Sequence, residues 1–454
     1  MASEILNELI KYISPIRYFF LKPLKNNYYW VDYYKLEKSE KEKINYFSNY
    51  SSEGMSLIDS AYQLWHKGYM DIEENKKLVF NQTKLKVAPI DRYLFLRRMF
   101  KPIWSWYTLF IRIITLNNPI TELYSFIQTI RVNQIDLSQD VYVYDDYPTY
   151  SSEILKDKPK VTIILPTLNR YEYLVRLLKD LEKQSYKNFE IIVVDQSKPF
   201  DNNFYNDFDI KIKVIIQKEK ALWKARNTAI KKSKGEYLLL LDDDSRVESN
   251  WITEHLKCID YFKAEISAGV SLSLVGSPIP NHYSYFRWAD QLDTGNVLIK
   301  RVVFKKCGLF DLQFEGMRMG DDDFGVRAYI NGFKSISNPL ASRQHLKVSH
   351  GGLRELGSWD GLRPVSWTSP RPIPSILYHF RRNWGKLNTM LFLVKNIPLS
   401  FSHYSMKGKK TGYLISVGIF TLCFPIIIIQ ILRSWYISTN KLNEGPKVEN
   451  FKSL

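Results

Sequence analysis

Between Lys160 and Asp244 the chain alternates short apolar runs with helix-patterned stretches, and few folds accommodate that order. VTIILP (Val161 to Pro166), FEIIVVD (Phe189 to Asp195), KVIIQ (Lys213 to Gln217) and EYLLLLDDD, ending at Asp244, read as strands. The stretch after the first strand places Leu174, Leu177, Leu178 and Leu181 on one helical stripe, and ALWKARNTAIKKS reads as a basic helix. Strand, helix, strand, strand, helix, strand implies an α/β fold with a mostly parallel, Rossmann-like sheet flanked by helices. Ligands of such sheets bind at the carboxyl ends of the strands. Polar residues gather there: Asn169 and Arg170 after the first strand, Asp195 in the second, and Asp242, Asp243 and Asp244 after the last.

Three adjacent carboxylates at the end of a buried strand repel one another unless a cation neutralises them. A divalent ion that prefers oxygen ligands, Mn²⁺ or Mg²⁺, holding a substrate diphosphate would do so, whereas a solvated loop would need no ion. A second cluster, Asp321, Asp322 and Asp323, opens a helix that closes at Gly332; acidic residues also favour helix starts through the dipole alone.

The rest of the chain is less patterned. A formal charge of +17 favours anionic partners, either phosphate-rich small molecules or a lipid surface. Nucleic acid is disfavoured because both acidic clusters would repel its backbone unless metal is bound. The three cysteines, Cys258, Cys307 and Cys423, have no metal-site spacing and suit a reducing compartment, and MASEILNELIKYI lacks the basic start of an export signal. Residues 1–155 are expected to form an aromatic-rich, mainly helical accessory region, with Leu57, Ile58, Ala61, Leu64 and Trp65 on one helix face. YLFLRRMFKPIWSWYTLFIRIITL, from Tyr93, reads either as an interfacial element against anionic lipid or as a buried helix pair interrupted at Pro102. Residues 156–350 form the α/β domain, and 351–454 a C-terminal helical region. Its uncharged run 413–432 has the length of a membrane span, flanked by Lys407, Lys409, Lys410 and Arg433. Pro425 and Gln430 leave a surface-lying or re-entrant helix open.

Seven pieces in order, VTIILPTLNR, FEIIVVDQS, ARN (Ala225 to Asn227), LLLLDDDS, TGNVLIKR, DDDFGVRAYINGF and His345, make residues 160 to about 350 resemble the family 2 glycosyltransferases of the GT-A fold. The resemblance implies a nucleotide-sugar donor, a UDP-sugar favoured. Pro166, Thr167, Asn169, Arg170 and Asp195 would lie at its nucleoside, and Arg226 near its base or phosphates. Asp242 and Asp244 would be the ends of a DXD motif at the donor, with Asp243 between them and expected to matter least; Asp244 and His345 would hold the metal and Asp242 the ribose or the metal's water, His345 being preferred to His350. An inverting displacement then needs a base for the acceptor hydroxyl. Aligning Phe324, Arg327 and Gly332 makes Asp321 that base and puts Gly320 where the family has a glutamate; taking Asp321 for a shortened glutamate makes it Asp322. Gln196 replaces a second acidic residue, and Lys220 and Ala221 replace glycines.

Trp288 and Asp323 are candidate acceptor contacts, with Asp290 or Asp293 for hydroxyls. The acceptor would be a saccharide or lipid-linked glycan, with membrane lipid as a further partner, at the cytoplasmic face of the cell membrane. Two other readings compete: a nucleotidyltransferase, disfavoured because PTLNR is not glycine-rich, and a non-catalytic membrane-associated binding protein.

Overall fold

The computed structural model describes residues 1–24, 29–80, 85–273, 279–348, 352, 361–363, 366–401, 406 and 410–451. His350, Lys407 and Lys409 lie outside them. The chain forms two units, Met1–Val143 with Asn383–Asn396, and Tyr144–Arg382 with Ile397–Leu454.

The first unit is helical: α1 (Ala2–Ile10), α2 (Lys38–Glu42), α3 (Glu53–His66), α4 (Pro89–Met99), α5 (Pro102–Ile114) and α6 (Pro119–Gln128). The stripe expected near Leu57 lies on α3, where Ile58, Ala61, Leu64 and Trp65 are buried. Asp59, on the same helix, is buried too. It is compensated by Arg98 of α4, whose Nε and Nη2 donate at 2.8 and 3.1 Å, and by the Tyr50 hydroxyl at 2.7 Å. A buried carboxylate held on three sides specifies how α3 and α4 meet.

The second unit holds α7 (Glu153–Asp157), β1 (Val161–Thr167), α8 (Tyr171–Glu182), β2 (Phe189–Asp195), β3 (Ile212–Ile216), α9 (Leu222–Lys232), β4 (Tyr237–Leu241), β5 (Ser245–Val247), α10 (Trp251–Tyr261), β6 (Ile266–Leu272), β7 (Arg287–Trp288), β8 (Asn296–Lys300), α11 (Arg301–Cys307), α12 (Gly320–Ile330) and β9 (Ser335–His345). The strand order is β3-β2-β1-β4-β8-β6-β9-β5, with β7 paired to β9. The first four strands are parallel: α8 crosses between β1 and β2 and α9 between β3 and β4, while β2 and β3 are joined without an α-helix.

Beyond them the expectation of a mostly parallel sheet fails, because β8 runs antiparallel to both β4 and β6. β8 returns antiparallel beside β6, with no α-helix between them among the described residues. The fold is a GT-A-like mixed α/β sheet with flanking helices. Alternation along the strands puts Ile164, Ile192, Leu238 and Leu240 in a core with residues of α9, α11 and α12. Val161, Ile163, Leu165 and Leu239 face the Leu174, Leu177, Leu178 and Leu181 stripe of α8 and residues of α10. Each such fully buried aliphatic side chain stabilises by about 1.5–3 kcal/mol.

The last helices are α13 (Pro374–Leu399), α14 (Lys410–Leu422) and α15 (Phe424–Glu444). The run expected to form one helix over 413–432 is broken at Cys423, because Pro425 in the first turn of α15 starts a new helix. Thr411–Leu422 and Phe424–Glu444 meet at 82°, and among the described residues no single helix is long and apolar enough to cross a membrane.

Candidate active site

The carboxyl ends of β1 and β4 converge with the end of β9 on an open cleft of about 620 Å³. Pro166, Thr167, Arg170, Gln196, Ala221, Asp242, Asp243, Asp244 and His345 are among its lining residues. The position of His345 follows from strand register. β5 pairs antiparallel with β9 so that Ser245 lies opposite His345, and Leu346 N donates to Asp244 O at 2.9 Å. This sets His345 Nε2 3.4 Å from Asp244 Oδ2.

The three adjacent aspartates have separate environments. Asp243 is buried, accepting from the Thr167 hydroxyl at 2.8 Å and from Arg170 Nη1 at 2.9 Å. Burial pushes its carboxyl up to about 6 against the opposing effect of Arg170. While lining the cleft, it also ties the end of β4 to the end of β1. Asp244 keeps its carboxyl low, at about 2: burial opposes the charge, but His345, Arg170 and Arg343 outweigh it. Asp242 accepts from Arg226 Nη2 at 2.7 Å and from Arg343 Nη1 at 3.1 Å.

Arg343 was missed from sequence. It is fully buried on β9, two residues before His345, and its guanidinium also reaches Ser245 Oγ at 2.9 Å, Ser271 Oγ at 2.8 Å and Asp293 Oδ2 at 3.1 Å. Burial opposes the charge on Asp293, yet Arg343 holds that carboxyl well below the usual range. The two-residue period of a strand was the available signal, since it puts Arg343 on the same face as His345. Gly295 makes the approach possible: a Cβ there would collide with the Asp242 carboxylate and the Arg343 guanidinium. Its neighbour Asn296 donates to Val270 O and Ala341 O at 3.1 and 2.9 Å, and accepts from Trp251 Nε1 at 2.9 Å.

On α12, Asp321 and Asp322 differ. Asp322 Oδ2 is 2.9 Å from His379 Nε2. Burial disfavours a charge on His379, but Asp322 and Asp323 hold its imidazole up at about 9. Asp321, partly exposed, has only the Asp322 N–H donating to it at 2.9 Å among its hydrogen bonds here. Burial first, then the charges of Asp293 and Asp322, push it up to about 6. The space left by Gly320, where a glutamate was expected, is filled by the Trp223 indole, against which a Cβ would press.

The other expected contacts have partners within the protein. Asp195 is buried and accepts from the Tyr171 and Tyr205 hydroxyls, both at 2.7 Å, and from Ser197 N at 2.8 Å; Gln196 lines the cleft in its place. Asn169, at φ 54°, accepts from Lys198 N through its side-chain Oδ1 at 3.0 Å. Arg226 is 2% exposed and holds Asp242 and Thr294 O. Trp288 and Asp323, expected at the acceptor, are both buried. Trp288 is 2% exposed within β7, and Asp323 is buried, with Arg327 Nε at 2.9 Å and Arg382 Nη1 at 3.2 Å. Asp290 and Asp293, by contrast, line a second cleft with His282, Tyr283 and Gln291.

As a cation site, this donor set fits in part. Asp244 and His345 converge, while both Asp242 oxygens are taken by arginines. Among the described residues no group of three His, Cys, Asp or Glu is arranged to hold a metal. Two protein ligands suit Mn²⁺ or Mg²⁺, which commonly take their remaining oxygens from substrate phosphate and water.

Residues 162–313 match the sequence model of Glycosyl transferase family 2, inside the stretch whose motifs suggested it. Similar curated proteins include glycosyltransferase GlyA of Streptococcus pneumoniae, 33% identical over 24% of this chain and 16% of that protein. Poly(ribitol-phosphate) beta-N-acetylglucosaminyltransferase TarS of Staphylococcus aureus is 27% identical over 24% and 20%. Chondroitin synthase of Escherichia coli is 26% identical over 46% and 29%. The chain thus spans less than a third of the length of each of these three relatives. Among solved structures, S. aureus TarS 1–349 in complex with UDP-GlcNAc has 16% identity and a TM-score of 0.40, covering 63% of this chain and 92% of that one. The mannosyltransferase PcManGT of Pyrobaculum calidifontis, in complex with GDP-Man and Mn²⁺, has 16% identity and a TM-score of 0.40, covering 66% and 92%.

Proposed function

We propose that the second unit is an inverting, metal-dependent glycosyltransferase that moves a sugar from a nucleotide-diphosphate donor to a hydroxyl of a saccharide or lipid-linked glycan. The observation that carries this reading is the placement of Asp244 beside His345 at the strand ends, in a cleft floored by Thr167, Arg170 and Gln196. Asp244 and His345 would hold a divalent cation, which when bound supplies charge stabilisation to the departing diphosphate. Arg226 and Arg343 fix Asp242 between them, and Arg170 offers positive charge at the phosphate end of the cleft. Asp321 takes the proton from the attacking acceptor hydroxyl, and displacement in one step inverts the anomeric centre. Asp290, Asp293, Tyr283 and His282 line the acceptor cleft. The surface carrying this chemistry would face nucleotide sugars at the cytoplasmic side of a membrane.

The test is thermal unfolding of the full chain with UDP or GDP, each with and without Mn²⁺. One nucleotide together with Mn²⁺ is expected to stabilise by about 2.7 kcal/mol at a hundred times its dissociation constant. Stabilisation by a random oligonucleotide in low salt, with none from either nucleotide, would instead favour a nucleic-acid binder.

A further inference from the structure

The first unit turns apolar side chains outward where a water-facing hairpin would turn polar ones. Antiparallel packing of α5 and α6 is shown by Arg112 Nη2 at 2.7 Å from Glu122 Oε1 and by the Trp106 and Phe126 rings at 4.4 Å. From Pro102 to Ile130 only Arg112 and Glu122 are charged, and they pair with each other beneath the surface, where the Tyr93 hydroxyl of α4 also donates to Glu122 at 2.7 Å. The outer face carries exposed Ile103, Trp106, Phe110 and Ile114 on α5 and Ile120, Leu123, Tyr124 and Ile127 on α6. The outside is thus apolar, while the buried side mixes Leu109, Ile111 and Phe126 with Ser105, Thr108, Ser125 and the Arg112–Glu122 pair. α4, preceding them, is buried, so the sequence from Tyr93 divides into a core helix and an outward-facing one.

The turn makes the same point. Leu116 is 94% exposed and sits at φ 61°, a left-handed conformation that glycine or asparagine adopts at less cost. A strained position spent on a solvent-exposed leucine gains nothing in water. At the opposite, open end of the hairpin stand exposed Lys101 and Arg131. Lipid phosphates complement these two charges, and the apolar face beside them complements acyl chains.

We infer that the α5–α6 hairpin is a lipid-binding element that lies with its apolar outer face in the interfacial region of an anionic membrane leaflet, Leu116 at its apolar tip and Lys101 and Arg131 beside the headgroup phosphates. α5, with 13 residues, is about 20 Å long, enough to lay a continuous apolar strip at the headgroup–acyl boundary. The inference stands on the first unit alone and survives or fails independently of the glycosyl-transfer reading.

The experiment is co-sedimentation of the full chain with vesicles of phosphatidylcholine, alone or in equal parts with phosphatidylglycerol. Wild type is expected to partition onto the anionic vesicles. The variant carrying Phe110→Ser, Leu116→Asn and Ile120→Ser should partition at least tenfold less at unchanged Tm, because all three positions are exposed and asparagine suits the turn. Lys101→Glu with Arg131→Glu should weaken binding to the anionic vesicles several-fold and bring it near that on phosphatidylcholine alone. Equal partition of the triple variant and wild type would overturn the proposal and move the contact elsewhere, α14 and α15 included. So would a wild type that ignores vesicles but sediments as a dimer that the triple variant dissociates.

Discussion

Asp321→Asn is expected to lower kcat by about 10²- to 10⁴-fold, the range that a positioned general base contributes. Asp322→Asn should cost less, because that carboxylate already engages His379, whereas Asp321 has no cation within ion-pair distance among the described residues. The pH profile gives an independent reading. With its carboxyl pushed up to about 6 by burial and by Asp293 and Asp322, Asp321 must be ionised to accept a proton, so activity should fall as pH drops through about 6. The stability term has the opposite sense. A carboxyl with a raised pKa favours the folded state fully below its unfolded value of 3.8 and loses that contribution as pH rises through about 6. Near pH 8, Asp321→Asn should therefore be no less stable than wild type. Steady-state kinetics of both variants, with their Tm values, separate the roles. Full activity in Asp321→Asn with an inactive Asp322→Asn would make Asp322 the base.

Arg343→Met is expected to destabilise the second unit by about 3 kcal/mol. Removing one member of a buried ion pair costs about 3–5 kcal/mol, and the lower end applies because Asp242 and Asp293 keep 29% and 45% of their side-chain surface. Methionine fills much of the volume but leaves both carboxylates, Ser245 and Ser271 without their shared donor. A urea midpoint shift at unchanged slope measures it. A shift below 1 kcal/mol would mean that Arg343 does not hold the cleft together.

The parallel half of the sheet was legible because β1, β2 and β4 are buried along most of their length and read as apolar runs, and α8 shows its stripe in four leucines. What lay beyond that half was not, for physical reasons. Whether NVLIK runs parallel or antiparallel depends on how the chain returns to it, and no local pattern records that. Single residues were displaced for a similar reason. Asp195 ends a strand as Asp244 does, but Tyr171 and Tyr205, from two other segments, close over it. Strand period could place Arg343 beside His345 but could not show what it holds, because its partners, Asp242, Asp293 and Ser271, are 101, 50 and 72 positions away. The C-terminal run was read from hydropathy, which registers apolar length but not the helix start that Pro425 imposes.

The most direct measurement is release of nucleoside diphosphate from a panel of UDP-, GDP- and dTDP-sugars by the full chain with Mn²⁺, beside Asp244→Asn. At least one donor should be consumed, with release falling 100-fold or more in the variant, a loss of about 2.7 kcal/mol in transition-state stabilisation. Release from no donor, or equal release by the variant and wild type, would contradict a glycosyl transfer centred on Asp244.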